Sequence, residues 1–195
     1  GRVVEDAEAV LRPVEELDLS RLDRTFTIRT REGFVETFGV ALLDGVARQA
    51  PRVRLRFVQK LDKGSGPLRE AAVDMETGVV GKITGPEVRA QALFRDRFIA
   101  VVRDGHQLTR GRVTPARFAS SRHVAVSRRE AARGPVDAGL EELGLVRDIA
   151  VIVTSFSTAL ALARSSDLVA TVPERHTAAL RAGLLDRADL HLTEA

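Results

Sequence analysis

The chain has 195 residues, of which 44% are hydrophobic and 29% charged, and these proportions are typical of a globular protein with one large or two small domains. Its 30 basic and 27 acidic residues leave a formal net charge of +3, and no basic cluster is dense enough to indicate nucleic-acid binding by itself. Cysteine, tryptophan and tyrosine are absent, which excludes disulfides, thiolate catalysis, zinc–cysteine sites and the stacking surface of a typical single-strand binder.

The first segment carries apolar residues at alternating steps of four and three, which is a heptad pattern. These residues are Val3, Ala7, Val10, Val14 and Leu17. The pattern lasts about two repeats and Pro13 interrupts it, so two interpretations stay open: the end of a longer dimerising helix, or an ordinary surface helix. The polar residues 17–24 are predicted to form a linker.

The location of the protein follows from what the sequence does not contain. No apolar run reaches the roughly 20 residues that a bilayer span needs, and the acidic first residues do not resemble a secretory signal. We therefore expect a cytoplasmic protein that does not contact the membrane. A mature exported protein whose signal has been removed is the alternative.

The strongest pattern is a strand–helix–strand unit in the first third of the chain. Alternating apolar residues predict strands at 25–30 and 53–57, and apolar residues at steps of three and four predict a helix at 34–50 between them. This unit predicts a parallel crossover in an α/β sheet, with a ligand cleft beyond the carboxyl end of the first strand. The turn from Thr30 to Phe34 is therefore placed in the binding site.

The rest of the chain is predicted to alternate between strands and helices. A short helix is predicted at 67–72, followed by strands at 73–81, 88–94 and 97–102, a helix capped by Thr114 and opened by Pro115, and a strand at 123–127. A helix at 136–143 ended by Gly144 and a strand at 149–153 buried on both faces come next. The remaining elements are a helix capped by Ser155, a buried strand at 168–172 ended by Pro173, a helix at 174–182 and a weak strand at 189–192. With a boundary near 82–87, these two α/β series predict two lobes with a cleft between them.

No catalytic, cofactor or metal site is predicted. His106, His123, His176 and His191 are isolated from one another and are interpreted as surface or turn residues. The glycine-containing segment at 78–85 lacks the glycine spacing and the hydroxyl residue of a phosphate-binding loop, and no serine has the setting of a nucleophile.

Three turns at strand ends are better candidates for a binding site. They run from Thr30 to Phe34, from Ser127 to Arg129 and from Thr154 to Phe156, and each is predicted to expose backbone N–H groups that attract carboxylates or phosphates. Arg31 and the arginines that follow Ser127 add positive charge. The alternative is that Ser155 is only a helix cap and that the arginines are only solvated.

The order of these motifs resembles the effector-binding domain of LysR-type transcriptional regulators. The resemblance rests on the heptad-bearing first helix, FTIRTREGFVETFGVALLDGVARQAPRVRLRF, VDMETGVVG, LFRDRFIAVVRDGHQL and TSFSTALALARSSDLVATVP, and it spans nearly all the chain. Gln107 stands where the family usually has proline, Ser166 where it usually has glycine, and Arg31 where a small hydroxyl residue often contacts the effector.

The resemblance implies an α/β fold like that of the type 2 periplasmic binding proteins, with two lobes, mixed sheets and a cleft between the lobes. The implied division is the end of a dimerisation helix with its linker at 1–23, effector-binding lobe I at 24–84 plus 176–195, and effector-binding lobe II at 85–175. It also implies a ligand-sensing regulatory domain that forms a homodimer or tetramer and reaches DNA only through a winged helix-turn-helix missing from this chain.

The resemblance further implies a small effector, which we expect to be an organic anion, held between the lobes. The predicted effector-binding residues are Thr30, Arg31, Gly33 and Phe34 of the first lobe, Ser127, Ser155 and Phe156 of the second, and in addition Lys60, Thr77 and Gly78. An extracytoplasmic solute-binding protein of the same fold is the alternative function, and an enzyme on this scaffold is a third.

Overall fold

The computed structural model of the chain describes residues 18–62, 64–79, 88–127 and 134–187. The strands in these residues are β1 (Thr25–Thr30), β2 (Arg54–Gln59), β3 (Met75–Glu76), β4 (Phe98–Val102), β5 (Arg122–Val126), β6 (Asp148–Val153), β7 (Leu168–Pro173) and β8 (Leu185–Arg187). The α-helices are α1 (Glu32–Gln49), α2 (Gly66–Arg69), α3 (Pro115–Ala119), α4 (Pro135–Glu141) and α5 (Phe156–Arg164), and short 3₁₀ helices lie at Leu19–Arg21, Gln107–Thr109 and Ala178–Leu180.

The strands form two sheets, which confirms the predicted α/β class. The smaller sheet has the strand order β2-β1-β3, and the larger has the order β6-β5-β7-β4-β8. The larger sheet is mixed, because β5 pairs in parallel with β6 and β7 whereas β4 pairs antiparallel with β7 and β8. No helix within the described ranges has the length and apolar character that crossing a membrane requires.

The predicted strand–helix–strand unit is confirmed in the smaller sheet. β1 and β2 pair in parallel, with Phe26 opposite Leu55 and Ile28 opposite Phe57. The crossover helix α1 begins at Glu32, two residues before the predicted start. Because parallel strands present their carboxyl ends at one edge of a sheet, the turn after β1 lies where ligands bind in such folds.

The larger sheet is covered by helices on both faces. Strand β4 alternates between them: Ala100 and Val102 pack with Phe118 of α3 on one face, while Ile99 and Val101 pack with α5 on the other. A strand buried on both faces is expected to be a continuous apolar run, as this one is.

The predicted caps are confirmed. The Thr114 hydroxyl accepts a hydrogen bond from the Arg117 amide at 3.3 Å, and the Ser155 hydroxyl accepts one from the Thr158 amide at 3.2 Å. Gly144 follows α4 with φ at +67°, the left-handed conformation that glycine adopts most readily.

One strand prediction, at 88–94, is wrong, and another, at 73–81, is too long. Residues 88–96 form no strand, although the pattern at 88–94 alternates, because no neighbouring strand pairs with this segment; Phe94 instead packs against Phe38 with ring centroids 5.3 Å apart. Of residues 73–79, the described part of the strand predicted at 73–81, only Met75–Glu76 forms a strand paired with β1.

The burial predicted for β6 is also wrong. Its residues alternate between exposed and half-buried, and Ile152 remains 48% exposed. The reason is its position, since β6 is one of the two edge strands of the larger sheet and its β-branched sequence does not specify that.

The helix predicted at 174–182 is wrong, because this segment forms turns and one 3₁₀ helix. Asp96 accepts hydrogen bonds from the amides of Arg175 and His176, both at 2.9 Å, and Arg181 donates from its side chain to the Glu174 carbonyl at 2.8 Å. The Arg181 contact takes up the Glu174 carbonyl, which a regular helix would pair with the amide four residues later, and the Ala178 amide bonds the Arg175 carbonyl instead at 3.3 Å.

The segment after β7 is also bound to the start of β4. Arg97, at the start of β4, makes a paired salt bridge with Glu174 after β7, at 2.8 and 3.1 Å. Strand β8 is hydrogen-bonded to β4 in the larger sheet, although the predicted division puts these residues in lobe I. That division as a whole stays a prediction.

Some predictions concern residues outside the described ranges. They are the heptad segment at 1–17, the lobe boundary at 82–87, the contribution of Arg128 and Arg129, and the weak strand at 189–192.

Candidate functional site

Four of the predicted site residues meet at the carboxyl end of β1. Thr30 is buried and its hydroxyl is hydrogen-bonded to that of Thr77, while the Thr30 carbonyl accepts from the Lys60 amide at 2.8 Å. A Cβ on Gly78 would lie 3.5 Å from Lys60 Nζ, so the glycine brings its backbone close to the lysine head. The parallel register of β1 and β2 is what puts Thr30 and Lys60 side by side.

The charge of Lys60 is already paired. Its Nζ lies 2.8 Å from Glu76 Oε2, and the other oxygen of Glu76 accepts from Arg29 at 2.8 Å. Arg29 also binds Asp62 at 2.8 Å, so two cations face two carboxylates. Burial raises the pKa of Glu76, but the hydrogen bonds from Lys60 and Arg29 outweigh it and hold that pKa below its usual value.

Sequence reasoning missed this ion network. Arg29 is only 6% exposed, although its position in β1 alternates with the apolar Ile28 and is expected to face water. No local pattern indicates that Glu76, 47 residues away, lies beside it. Lys60 is therefore at the predicted place, but it is not an uncompensated cation.

The first turn of α1 packs against the segment that follows β7. Gly33 and Phe34 are buried there, and the Phe34 ring lies 6.4 Å from the His176 ring. The Thr37 hydroxyl donates to the His176 carbonyl at 2.9 Å. Arg31 is the N-cap residue of α1, and its side chain is not used to cap the helix.

In the larger sheet, two of the predicted residues line one cavity of about 100 Å³. They are Ser127, which follows β5, and Phe156, which opens α5. The other residues of its wall are Phe98, Val124, Ala125, Val126, Gly134, Pro135, Val136, Arg147 and Thr171. Ser155 does not line the cavity, because its hydroxyl caps α5.

Among the described residues, the cavity wall includes one charged side chain, and that charge is paired. Arg147 donates to Asp137 from Nε at 2.7 Å and from Nη2 at 2.9 Å, and the amide of Gly134 donates to the same carboxylate at 2.7 Å. Burial raises the pKa of Asp137, but the hydrogen bonds from Arg147 and Gly134 lower it further, so the pKa lies below its usual value.

Thr171 is the second polar feature that sequence reasoning missed. It lies in β7, is 9% exposed, and its hydroxyl oxygen is buried without a hydrogen-bond partner among the described residues. The sequence marks this strand only as a buried apolar run, and a threonine in such a run is usually satisfied by the backbone.

The predicted residues thus form separate groups, one beside each sheet. A second cavity, of about 350 Å³, is lined by Arg103, Gly105, His106, Gln107, Arg110 and Asp167, none of which was predicted. Neither of these two cavities is lined by predicted residues of both groups within the described part of the chain.

The interpretation of the histidines as surface or turn residues is wrong for His123, which is buried in β5, whereas His106 closes a turn as predicted but is buried as well. His106 Nδ1 accepts from the Leu108 amide at 3.1 Å, and His123 Nε2 lies 2.8 Å from the Phe118 carbonyl. His106 is the N-cap residue of the 3₁₀ helix Gln107–Thr109, and His123 lies in β5 with its ring 4.5 Å from that of Phe118. The described residues contain no group of three or more side chains suited to a metal ion.

Comparison with known proteins gives a consistent result. The family model described as LysR substrate binding domain matches residues 20–192. The chain is 30% identical over 158 residues to the HTH-type transcriptional activator NagR of Ralstonia sp, an alignment that covers 78% of this chain and 50% of NagR. The chain spans about half the length of the curated relatives it matches.

Solved structures agree with the fold. The probable transcriptional regulator PA0477 from Pseudomonas aeruginosa has a TM-score of 0.75 and 25% identity, over 99% of this chain and 66% of that one. The BenM effector binding domain, solved with its effector benzoate, has a TM-score of 0.67 and 17% identity, over 86% of this chain and 78% of that one. The BenM likeness concerns the fold alone.

Proposed function

This chain belongs to the LysR substrate-binding domain family, and on that premise we propose that it is the ligand-sensing part of a transcriptional regulator. A small effector bound between the lobes changes the arrangement of DNA-binding domains that lie elsewhere in the protein. It does so only through its difference in affinity for two conformations, typically about 1–3 kcal/mol. Because the named relatives are regulators, this function is better supported than a solute-binding protein or an enzyme.

One observation carries the proposal. Ser127 and Phe156, which the sequence marks as candidate effector residues, line the same cavity at the carboxyl ends of the parallel strands β5 and β6. Ligands of open α/β sheets bind outside that edge. Thr30 lies at the corresponding edge of the smaller sheet, so the two groups are the walls of the proposed effector cleft.

The effector is a small organic anion. The N-terminus of the 18-residue helix α1 supplies positive potential at the end of β1, and Arg31 lies at that terminus. Benzoate, the effector of BenM, belongs to this chemical class. The proposed effector-binding residues remain the ten that the sequence predicts.

The chain forms a homodimer. Val40 and Leu43 are 72% and 52% exposed on one side of α1, and Leu143, Val146 and Ile152 are exposed around the edge strand β6. Large apolar side chains that cluster on a surface are typical of contacts between protein chains. In a symmetric dimer, each copy offers both surfaces, which allows α1 of one copy to cover the edge strand of the other.

A thermal-shift screen tests the effector. The purified chain is heated with a panel of carboxylates that includes benzoate, and with uncharged analogues such as benzamide. We expect at least one carboxylate to raise the unfolding midpoint. If only uncharged compounds stabilise the protein, the anion assignment is wrong; if nothing does, effector binding by this chain is wrong.

A pair of threonine variants tests the position of the site. Thr30→Val removes the hydroxyl at the end of β1 and is expected to weaken the binding of the best carboxylate roughly tenfold. Thr25→Val removes an exposed hydroxyl at the start of the same strand and is expected to leave binding unchanged. If both variants bind the carboxylate with the same affinity, Thr30 does not belong to the effector site.

A further inference from the structure

The segment after β7 is the place where α1 meets the larger sheet. Its residue His176 contacts α1 in two ways: the ring lies 6.4 Å from the Phe34 ring, and the backbone carbonyl accepts a hydrogen bond from the Thr37 hydroxyl at 2.9 Å. Further along the segment, Leu180 packs against the core cluster formed by β4, β7 and α5. Residues 174–180 therefore contact the helix of one sheet and the core of the other.

The side chain of Asp96 holds this segment from the connection that leads into β4. One of its carboxylate oxygens accepts from the amides of Arg97 and Arg175, and the other accepts from the amide of His176, all at 2.9 Å. A hydrogen bond to an ionised acceptor is roughly twice as strong as one between neutral groups. A single half-buried carboxylate thus fixes the backbone of two consecutive residues after β7.

The connection that carries Asp96 also contacts α1. Phe94 packs against Phe38 of that helix with ring centroids 5.3 Å apart, so α1 touches both of the segments that Asp96 ties together. The first turn of α1 includes Phe34, one of the proposed effector-binding residues. A shift of His176 relative to Asp96 would therefore displace one wall of the proposed effector cleft relative to the other.

We propose that Asp96 is a positioning residue that sets the width of the effector cleft, because it holds His176 against the first turn of α1. Both residues lie just outside the paired strands β4 and β7, and hinges are typically a few residues at the ends of such elements. The inference rests on the proposed function, since it concerns the same cleft. It adds that a side chain outside the ten predicted site residues decides how far apart the walls stand.

The distance between the two parts of the fold can be measured directly. The chain contains no cysteine, so two introduced cysteines carry spin labels only at chosen places. Arg52 lies in the exposed turn before β2 and Ala116 is exposed on α3, so Arg52→Cys and Ala116→Cys label one part each. Pulsed electron paramagnetic resonance then gives the distribution of label distances, and an excess of unlabelled chain excludes distances between copies.

We expect Asp96→Ala to widen this distribution roughly twofold, because the released segment samples several positions of the hinge. Thr37→Val removes the hydroxyl that binds the His176 carbonyl, with little change of shape, and is expected to widen the distribution by less. Asp104→Ala is the matched control, because the Asp104 carboxylate accepts from the next amide in its own turn, at 2.8 Å. It is expected to keep the original width.

Equal widths for Asp96→Ala and the labelled background, or an equal widening by Asp104→Ala, would overturn the inference. Should circular dichroism show that Asp96→Ala is unfolded, Thr37→Val decides in its place, and an unchanged width in that variant overturns the inference. No effector is added in this measurement. A carboxylate that stabilises the chain in the thermal-shift screen would therefore leave the proposed function in place, whatever the label distances show.

Discussion

Gly33 and His176 are in such close contact that a Cβ on Gly33 would lie 2.6 Å from His176 Cδ2 and 3.3 Å from the His176 carbonyl oxygen. The glycine thereby allows the first turn of α1 to reach the segment after β7. Because α1 covers the smaller sheet and β7 belongs to the larger one, this contact joins the two parts of the fold.

Gly33→Ala is expected to destabilise the protein by about 1–3 kcal/mol, because a methyl group must push the His176 ring and its backbone away. Gly45→Ala is the matched control in the same helix, where a Cβ meets nothing within 4 Å, and it is expected to stabilise the protein by up to about 1 kcal/mol. Urea unfolding measures the change in unfolding free energy of both variants, and changes of the same sign would contradict the close contact between Gly33 and His176.

Glu76→Gln is expected to cost about 3–5 kcal/mol of unfolding free energy, because it leaves Arg29 and Lys60 partly unpaired inside the smaller sheet. Asp23→Asn breaks the exposed ion pair with Arg54 and is expected to have little effect. If urea unfolding finds the two variants equally stable, the buried network does not contribute as described.

The stabilisation by Glu76 also depends on pH. Its pKa is lower in the folded chain than in the unfolded one, so the contribution is complete above the unfolded value of about 4.3. It is lost as the pH falls from there through the folded pKa. The difference in unfolding free energy between the wild type and Glu76→Gln should therefore shrink in acid.

His123 also makes the folded chain less stable as the pH falls, because folding lowers its pKa. Burial is the main cause that lowers its pKa from 6.5 to about 4, and the hydrogen bond to the Phe118 carbonyl only partly offsets it. Between those two values the unfolded chain binds the proton and the folded chain does not, so the free energy of unfolding falls as the pH falls.

The loss from His123 is roughly 3 kcal/mol between pH 6.5 and 4, by the factor of about 1.4 kcal/mol per pKa unit. His123→Gln keeps a donor for the Phe118 carbonyl and does not titrate. Urea unfolding as a function of pH should show a shallower decline for this variant than for the wild type. Parallel curves would mean that His123 is not buried as a neutral group.

Asp137→Asn is expected to free the charge of Arg147 in the cavity wall. Benzoate should then bind this variant roughly tenfold more tightly than the wild type, because the cavity gains an uncompensated cation. Asp148→Asn removes a carboxylate from an exposed pair with Arg122 and should leave benzoate binding unchanged. Weaker or equal binding to Asp137→Asn, measured by calorimetry, would contradict the role of Asp137.

Val40→Glu is expected to convert the proposed homodimer to a monomer in analytical ultracentrifugation, because it places a charge in the apolar surface of α1. Leu61→Glu is the control, since Leu61 is also exposed but lies in the loop after β2. A Val40→Glu chain that still sediments as a dimer would place the contact elsewhere.

Much of the fold can be predicted from the sequence, because strand and helix patterns are local. The alternation around Ile28, the helical spacing before Ala50, and the caps at Thr114 and Ser155 all depend on residues within one element or one turn of it. Where the same pattern occurs without a partner strand, as in residues 88–94, the prediction is wrong, since a strand exists only in a sheet.

Two of the proposed site residues share one cavity for the same reason. Ser127 and Phe156 follow strands that the sequence marks clearly, and the structure brings them to one cavity. Ser155 was marked by the same turn, but its hydroxyl is used by the helix itself.

The sequence alone therefore determined the α/β class, the parallel crossover from β1 to β2, and the strand ends at which polar residues gather. Only the tertiary structure decided that Lys60 is neutralised by Glu76, that the Thr171 hydroxyl has no hydrogen-bond partner among the described residues, and that β6 is an edge strand. The reason is that burial and pairing depend on which distant segments lie opposite a residue, and the periodicity of one segment contains no information about its neighbours.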